Sequence, residues 1–215
     1  MELIHTLFNF LIHIDQHLIH FSNQYGAWTY AILFSIVFAE TGLVIIPFLP
    51  GDSLLFASGT LIANQHSTLN IHYLFILLVL ASIVGNTSNY FIGKFIGPKV
   101  FRSERSLWLN RKYLEYAHQF YRRFGGKTIV FARFLPIIRT FAPFVAGIGS
   151  MKPVRFMAYN ILGAFTWVGS LLYSSYLFGN LAFVQNNFSH VILGIILLSI
   201  LPALLGLGKE LIKRS

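Results

Sequence analysis

Long apolar stretches alternate with short polar breaks along the chain, and the length of each stretch predicts its element. Residues 73–96, 154–179 and 188–208 are near-continuous apolar runs. Each exceeds the ~20 residues that a ~30 Å hydrocarbon core requires, so each is expected to be a spanning helix. Tyr73, Tyr90 and Lys94 lie near the ends of the first. The second follows Pro153 and carries Phe156, Tyr159, Trp167, Tyr173 and Tyr176, and Pro202 bends the third. Residues 1–22 follow another pattern. Leu3, Leu7, Phe10, Leu11, Ile14, Leu18 and Phe21 recur at helical spacing, with His5, Asn9, His13, Gln16 and His20 opposite. That pattern predicts an amphipathic helix lying in the membrane interface.

Two further stretches are apolar but interrupted. Residues 28–63 contain Glu40, Gly42, Pro47, Pro50, Gly51 and Asp52, and residues 127–150 contain Arg133, Pro136, Arg139, Pro143, Gly147 and Gly149. Proline removes a backbone donor and breaks a helix. Non-helical backbone at membrane depth survives only beside protein or a water-filled cavity. Both stretches therefore read as re-entrant helical hairpins, broken at Pro47, Pro50 and Gly51 in the first and at Pro136 and Pro143 in the second.

Composition agrees with a membrane protein. Of the 215 residues, 55% are hydrophobic and 11% charged, against about 25% charged in soluble domains. This excludes a soluble enzyme domain and a disordered tail. The absence of cysteine excludes a disulfide scaffold, a thiolate metal site and a cysteine nucleophile. The N-terminus lacks the basic region and small-residue cleavage site of a secretory signal, so none is expected. At this length a single membrane domain over 1–215 is expected.

The net charge of +9 raises nucleic-acid binding, but its distribution favours another origin. The first 93 residues hold no Lys or Arg, and residues 156–208 hold no charged side chain. Lys94, Lys99, Arg102, Arg105, Arg111, Lys112, Arg122, Arg123 and Lys127 crowd residues 94–127, Lys152 and Arg155 follow, and Lys209, Lys213 and Arg214 close the chain. Under the positive-inside rule the 97–126 loop, the 150–155 corner and the C-terminal tail, 209–215, are cytoplasmic. Leu109, Tyr113, Tyr116, Phe120 and Phe124 share one side of the basic stretch, as in a helix resting on anionic lipids. No nucleic-acid partner is expected.

The same rule sets the hairpins in opposition. Lys127 precedes the second and Lys152 follows it, so it enters from the cytoplasm and returns there. The first, with uncharged polar ends, dips from the outer side. Phe38-Ala39-Glu40 stands ten residues before Pro50, and Phe131-Ala132-Arg133 ten residues before Pro143. Tyr90-Phe91-Ile92-Gly93 and Tyr176-Leu177-Phe178-Gly179 close the following helices. These pairs describe an inverted repeat, an arrangement that places a transport site near the midplane.

The candidate chemistry lies in the interruptions. Glu40, Asp52, Arg133 and Arg139 would together cost roughly 10–14 kcal/mol at helix centres on insertion scales, so they are expected to pair or face a hydrated chamber. Arginine binds phosphate with a two-pronged fork and stays charged. Arg133 and Arg139 are therefore candidates for a lipid phosphate, and Glu40 and Asp52 for proton acceptors. A purely structural reading competes, in which the acids pin the arginines, Asp52 caps a helix starting at Ser53 and Arg133 snorkels to the cytoplasm. Elsewhere, His13, His17 and His20 lie close to one helical side, but a polar helix face explains them without a metal. Gly93 and Gly97 allow close helix packing. No P-loop, G-x-S-x-G or H-E-x-x-H motif occurs, and no cofactor is expected.

Phe38-Ala39-Glu40-Thr41-Gly42 followed by Pro47-Phe48-Leu49-Pro50-Gly51-Asp52-Ser53-Leu54-Leu55-Phe56 resembles the DedA family of bacterial inner-membrane proteins. So do Gly125-Gly126-Lys127, Phe131-Ala132-Arg133-Phe134-Leu135-Pro136 and the run Arg139–Gly147. The resemblance covers roughly residues 25 to 205. It implies an all-α integral membrane fold with two re-entrant hairpins, and kinship with the VTT (SNARE-associated) lipid scramblases. It also implies flippase-like movement of lipids such as undecaprenyl phosphate or phosphatidylethanolamine, driven by the proton motive force. The acidic and arginine pairs important in that family correspond to Glu40, Asp52, Arg133 and Arg139. One departure stands at Gly85-Asn86, where the family pattern leads to Gly-Asp; Asn86 cannot ionise. Two other classes stay open at this stage: a proton-coupled cation or drug antiporter, and a lipid-phosphate enzyme using Asp52 or His118. The sequence carries no signal for oligomeric state.

Overall fold

The computed structural model describes residues 24–43, 51–63, 69–100, 125–149, 151–179, 181–187, 190, 191 and 194. All secondary structure among them is helical. The helices are α1 (Trp28–Gly42), α2 (Gly51–Ala63), α3 (Ile71–Val100), α4 (Lys127–Ala132), α5 (Pro136–Ile148), α6 (Pro153–Phe178) and α7 (Ala182–Asn186). The expected interfacial helix at 1–22, the histidines on it, Pro47, Pro50, nearly all of the basic loop and of the 188–208 span, and the tail lie outside the described residues.

Two helices, over Ile71–Phe95 and Pro153–Phe178, are long and apolar enough to cross a membrane. Their faces are sorted as lipid demands. On α3 the outward stripe is Tyr73, Ile76, Leu80, Val84, Phe91 and Phe95, while Ser82, Asn86 and Asn89 are buried. On α6, Val154, Leu162, Phe165 and Leu177 are exposed while Asn160 and Ser175 are buried. In water such a helix would turn its apolar stripe inward. With lipid as the outer solvent, apolar groups lose nothing by exposure and polar groups must find partners inside.

The chain divides into two compact units. Among the described residues the first comprises those within 24–36, 51–78 and 168–194, and the second those within 37–43 and 79–167. In the first unit α3 begins at a side-chain cap. Asn70 Oδ1 accepts from the His72 N–H at 2.9 Å, and the Asn70 N–H donates to the Tyr30 hydroxyl at 2.7 Å. These bonds satisfy backbone donors that a helix start leaves open. Beside the cap, the Tyr173 hydroxyl lies 3.1 Å from His72 Nδ1.

In the second unit the core packs Tyr90, Ile129, Ala132, Ala142, Ala146, Met151 and Phe156 together. Tyr90 stacks on Phe156 at 4.3 Å between centroids and donates its hydroxyl to the Met151 carbonyl at 2.6 Å. Two glycines set the approach of α3 to α5. A Cβ on Gly93 would strike the Phe144 backbone, and one on Gly147 would strike the Tyr90 carbonyl. Each helix removes the side chain that would hold the other away. A similar contact brings Gly42 of α1 onto Gly85 of α3.

The expected interruption at Pro136 is present. Below it α4 ends with tight bonds from the Phe134 and Leu135 N–H groups to the carbonyls three residues earlier. Leu135 is extended, with φ −121° and ψ 104°, as the residue before a proline prefers, and Pro136 opens α5. Pro143 behaves otherwise. Its sequence position predicts a second break, yet α5 runs through it to Ile148. One turn before it, Asn89 Nδ2 of another helix donates to the Thr140 carbonyl at 2.7 Å.

Candidate functional site

The second unit gathers three buried charges. Among the described residues Glu40, Arg133 and Arg139 are the buried ionisable side chains of this unit bearing formal charge. Glu40 lies in the last turn of α1 and Arg139 in the first turn of α5. Arg139 Nη2 donates to Glu40 Oε1, an ion pair in which the side chains are 7% and 0% exposed respectively. Helix dipoles reinforce the pairing. An acid at its own C-terminus and a base at its own N-terminus are each misplaced. Bonded together, the acid meets the positive start of α5 and the base the negative end of α1. Trp167 covers the guanidinium, its ring centroid 5.7 Å from Arg139 Cζ, a cation–π contact that needs no further charge.

Arg133 is built differently. It caps the C-terminus of α4, at the helix break. Its guanidinium is buried within neutral groups. Nη1 donates to Ser82 Oγ, and Nη2 to the Asn160 side-chain oxygen at 2.6 Å and its carbonyl at 3.2 Å. With its amide oxygen turned toward Arg133, Asn86 accepts from Nη2 at 3.0 Å and gives its own N–H to the Thr41 carbonyl at 3.3 Å. Asn160 is fixed in turn by its Nδ2, which reaches the Ile83 carbonyl and Thr87 Oγ1, each at 3.1 Å. Gly163 makes room for the Arg133 side chain, since a Cβ there would lie 2.9 Å from Nε. Among the described residues Nε has no acceptor and no carboxylate bonds to Arg133. Arg139 acts on it as a like charge.

Of the four ionisable residues singled out by sequence, three therefore belong to one unit, and within it Glu40 and Arg139 form a salt bridge. Arg133 does not snorkel; it is 3% exposed. Asp52 belongs to the other unit, partly exposed. Since α2 begins at Gly51, Asp52 stands inside its first turn rather than ahead of it. There its charge favours the helix start. Gly51 is the first residue of α2 and is buried.

Sequence reasoning misses Ser82, Asn160 and Trp167 as partners of the arginines. Ser82, Asn86 and Asn89 recur at helical spacing on α3, and Asn160 is a lone amide in an apolar run. Polar side chains inside spanning segments are costly unless partnered, and that is the signal that could have found them. Among the described residues no three His, Asp or Glu side chains converge to hold a metal.

Comparison with known proteins places this unit in context. The VTT domain matches residues 49–177. Over 205 residues the chain is 51% identical to the protein DedA of Escherichia coli K12, covering 95% of this chain and 94% of that one. It is 39% identical over 174 residues to an uncharacterized membrane protein of Mycobacterium tuberculosis, covering 81% of this chain and 76% of that one. The inner membrane protein YqjA of Escherichia coli K12 is 29% identical over 186 residues, covering 85% of this chain and 82% of that one. No solved structure matches the chain significantly.

Proposed function

Because the chain belongs to the DedA family of VTT-domain membrane proteins, we propose that it is a carrier. In this reading it moves an anionic lipid, such as undecaprenyl phosphate or a phospholipid, between the leaflets of a bacterial inner membrane. The observation that carries this reading is the buried Glu40–Arg139 pair standing beside a second buried arginine. A clamp needs one acid for each base, whereas the described buried charges of this unit are one acid and two bases. Protonating Glu40 would dissolve its ion pair and turn the Arg139 fork toward an incoming phosphate, while the lipid tail stays in hydrocarbon. Uptake of a proton would thus be linked to capture of the headgroup, and the proton motive force would set the direction of the cycle.

Asp52 takes the corresponding proton-accepting role in the other half of the repeat. Pro47, Pro50 and Gly51, with Pro136 and Pro143, supply irregular backbone for two hairpins dipping from opposite faces. The C-terminus stays cytoplasmic. The chemistry of the exchange is binding and release, without bond cleavage, so no catalytic residue or cofactor is assigned.

The test is leaflet-resolved transport in proteoliposomes, with and without a pH gradient, across a panel of phosphate-bearing and uncharged lipids. Phosphate lipids should cross faster than in protein-free vesicles, faster still with the gradient, and Glu40→Gln should remove the gradient dependence. Movement no faster than in empty vesicles would refute the carrier. Transport of small cations without lipid would move the protein to the antiporter class.

A further inference from the structure

Asn86 stands between the two charged centres. With its amide oxygen turned toward Arg133, it accepts from that guanidinium, and its nitrogen donates to the carbonyl of Thr41, the neighbour of Glu40. It is 3% exposed, on the buried polar side of α3 with Ser82. An aspartate has nearly the same shape and would offer the same oxygen to Arg133, but as a charged partner. The choice of amide therefore leaves the charge of Arg133 in place and also supplies the donor to the Thr41 carbonyl, which a carboxylate lacks. With Glu40 and Arg139 cancelling, the described buried charges of this unit leave one positive charge, on Arg133.

Resting on the carrier reading, we propose that Asn86 is a specificity-determining residue: its neutral amide keeps the charge of Arg133 uncancelled, so that the site selects a single phosphate-type anion. Ser82 and Asn160 complete a shell that orients the guanidinium without neutralising it. Arg133 Nε, without an acceptor among the described residues, supplies a donor for an oxyanion. Amides and hydroxyls serve here because they solvate a cation while leaving its long-range field intact. A carboxylate at position 86 would complete an internal ion pair, and an incoming phosphate would have to displace it. The ligand class is a phosphate group, borne by a lipid headgroup as a monoester or diester or present as free phosphate.

Binding to the purified full chain in detergent, measured by calorimetry, separates these cases. The probes are farnesyl phosphate, farnesol and inorganic phosphate. Wild type should prefer farnesyl phosphate over farnesol by at least tenfold. Asn86→Asp should erase that preference, and Asn86→Ser, small and neutral, should keep it within about threefold. Binding of inorganic phosphate as tight as that of farnesyl phosphate supports the anion site with free phosphate as its source; weaker binding supports the lipid headgroup. Should wild type show no preference for the phosphate, the carrier reading fails as well. If wild type prefers it and Asn86→Asp does too, only the role of Asn86 is overturned. Loss of preference in Asn86→Ser also overturns it, because shape rather than charge would then matter, and this arm decides even where the aspartate variant does not fold.

Discussion

Replacing Glu40 by glutamine isolates the energetics of the buried pair. The two side chains are 0% and 7% exposed. Removing one partner of a buried ion pair costs about 3–5 kcal/mol, because the remaining charge keeps its desolvation penalty without its counter-charge. In the Glu40→Gln variant the new amide still offers one oxygen to Arg139 Nη2, and Trp167 still covers the guanidinium, so the loss should fall near the lower figure, about 3 kcal/mol. For a chain of this size each kcal/mol moves a melting midpoint by about 2–4 °C, which predicts a fall of about 6–12 °C. Glu40→Gln combined with Arg139→Gln removes both charges. Such neutral replacements range from harmless to stabilising, so the double variant should recover to within about 1 kcal/mol of wild type. The assay is thermal unfolding of the detergent-solubilised chain at one fixed scan rate, since unfolding of such proteins is commonly irreversible. A single variant melting within about 2 °C of wild type, with a double variant no more stable than the single, would refute an energetically coupled pair.

Arg139→Lys keeps the charge and the bond to Glu40 but loses the planar fork. Its melting midpoint should stay close to wild type while lipid-phosphate transport in vesicles drops at least tenfold; unchanged transport would return the pair to a structural role. Asn160→Ala removes the side-chain acceptor of Arg133 Nη2 and both bonds to α3. Hydrogen bonds to charged groups contribute about 1.5–3 kcal/mol, so the variant should lose about 2–3 kcal/mol, read as a shift in the same melting assay. Gly93→Ala drives a Cβ into the Phe144 backbone, which has no rotamer to yield, whereas the nearest atom to a Cβ on Gly169 is a Phe75 ring carbon at 3.5 Å. The first should cost about 1–3 kcal/mol and the second should be neutral or slightly stabilising, so equal midpoints for the two would contradict the close α3–α5 approach.

Much of this protein was determined along the chain. Runs of apolar residues at α3 and α6 announced their helices, because a bilayer imposes a minimum length and lets few charges pass. Pro136 placed the α4–α5 break through local geometry alone: the residue before a proline avoids the helical region, and the proline lacks a donor. The unusual cost of Glu40, Arg133 and Arg139 in apolar surroundings marked them without any knowledge of their neighbours. Partnership was another matter. Glu40 and Arg139 are 99 residues apart in sequence, and nothing local says which arginine the acid meets; two helix ends had to be brought together, and only the folded backbone does that. For Arg133 the sequence offered Asn86, Ser82 and Asn160 as isolated polar residues, and their convergence on one guanidinium depends on Gly163, whose missing side chain opens the space. Pro143 is the converse case, a local rule that does not hold, since α5 runs through it. Local chemistry follows from the order of residues, whereas the charge balance of a buried site is a property of which side chains the fold allows to touch.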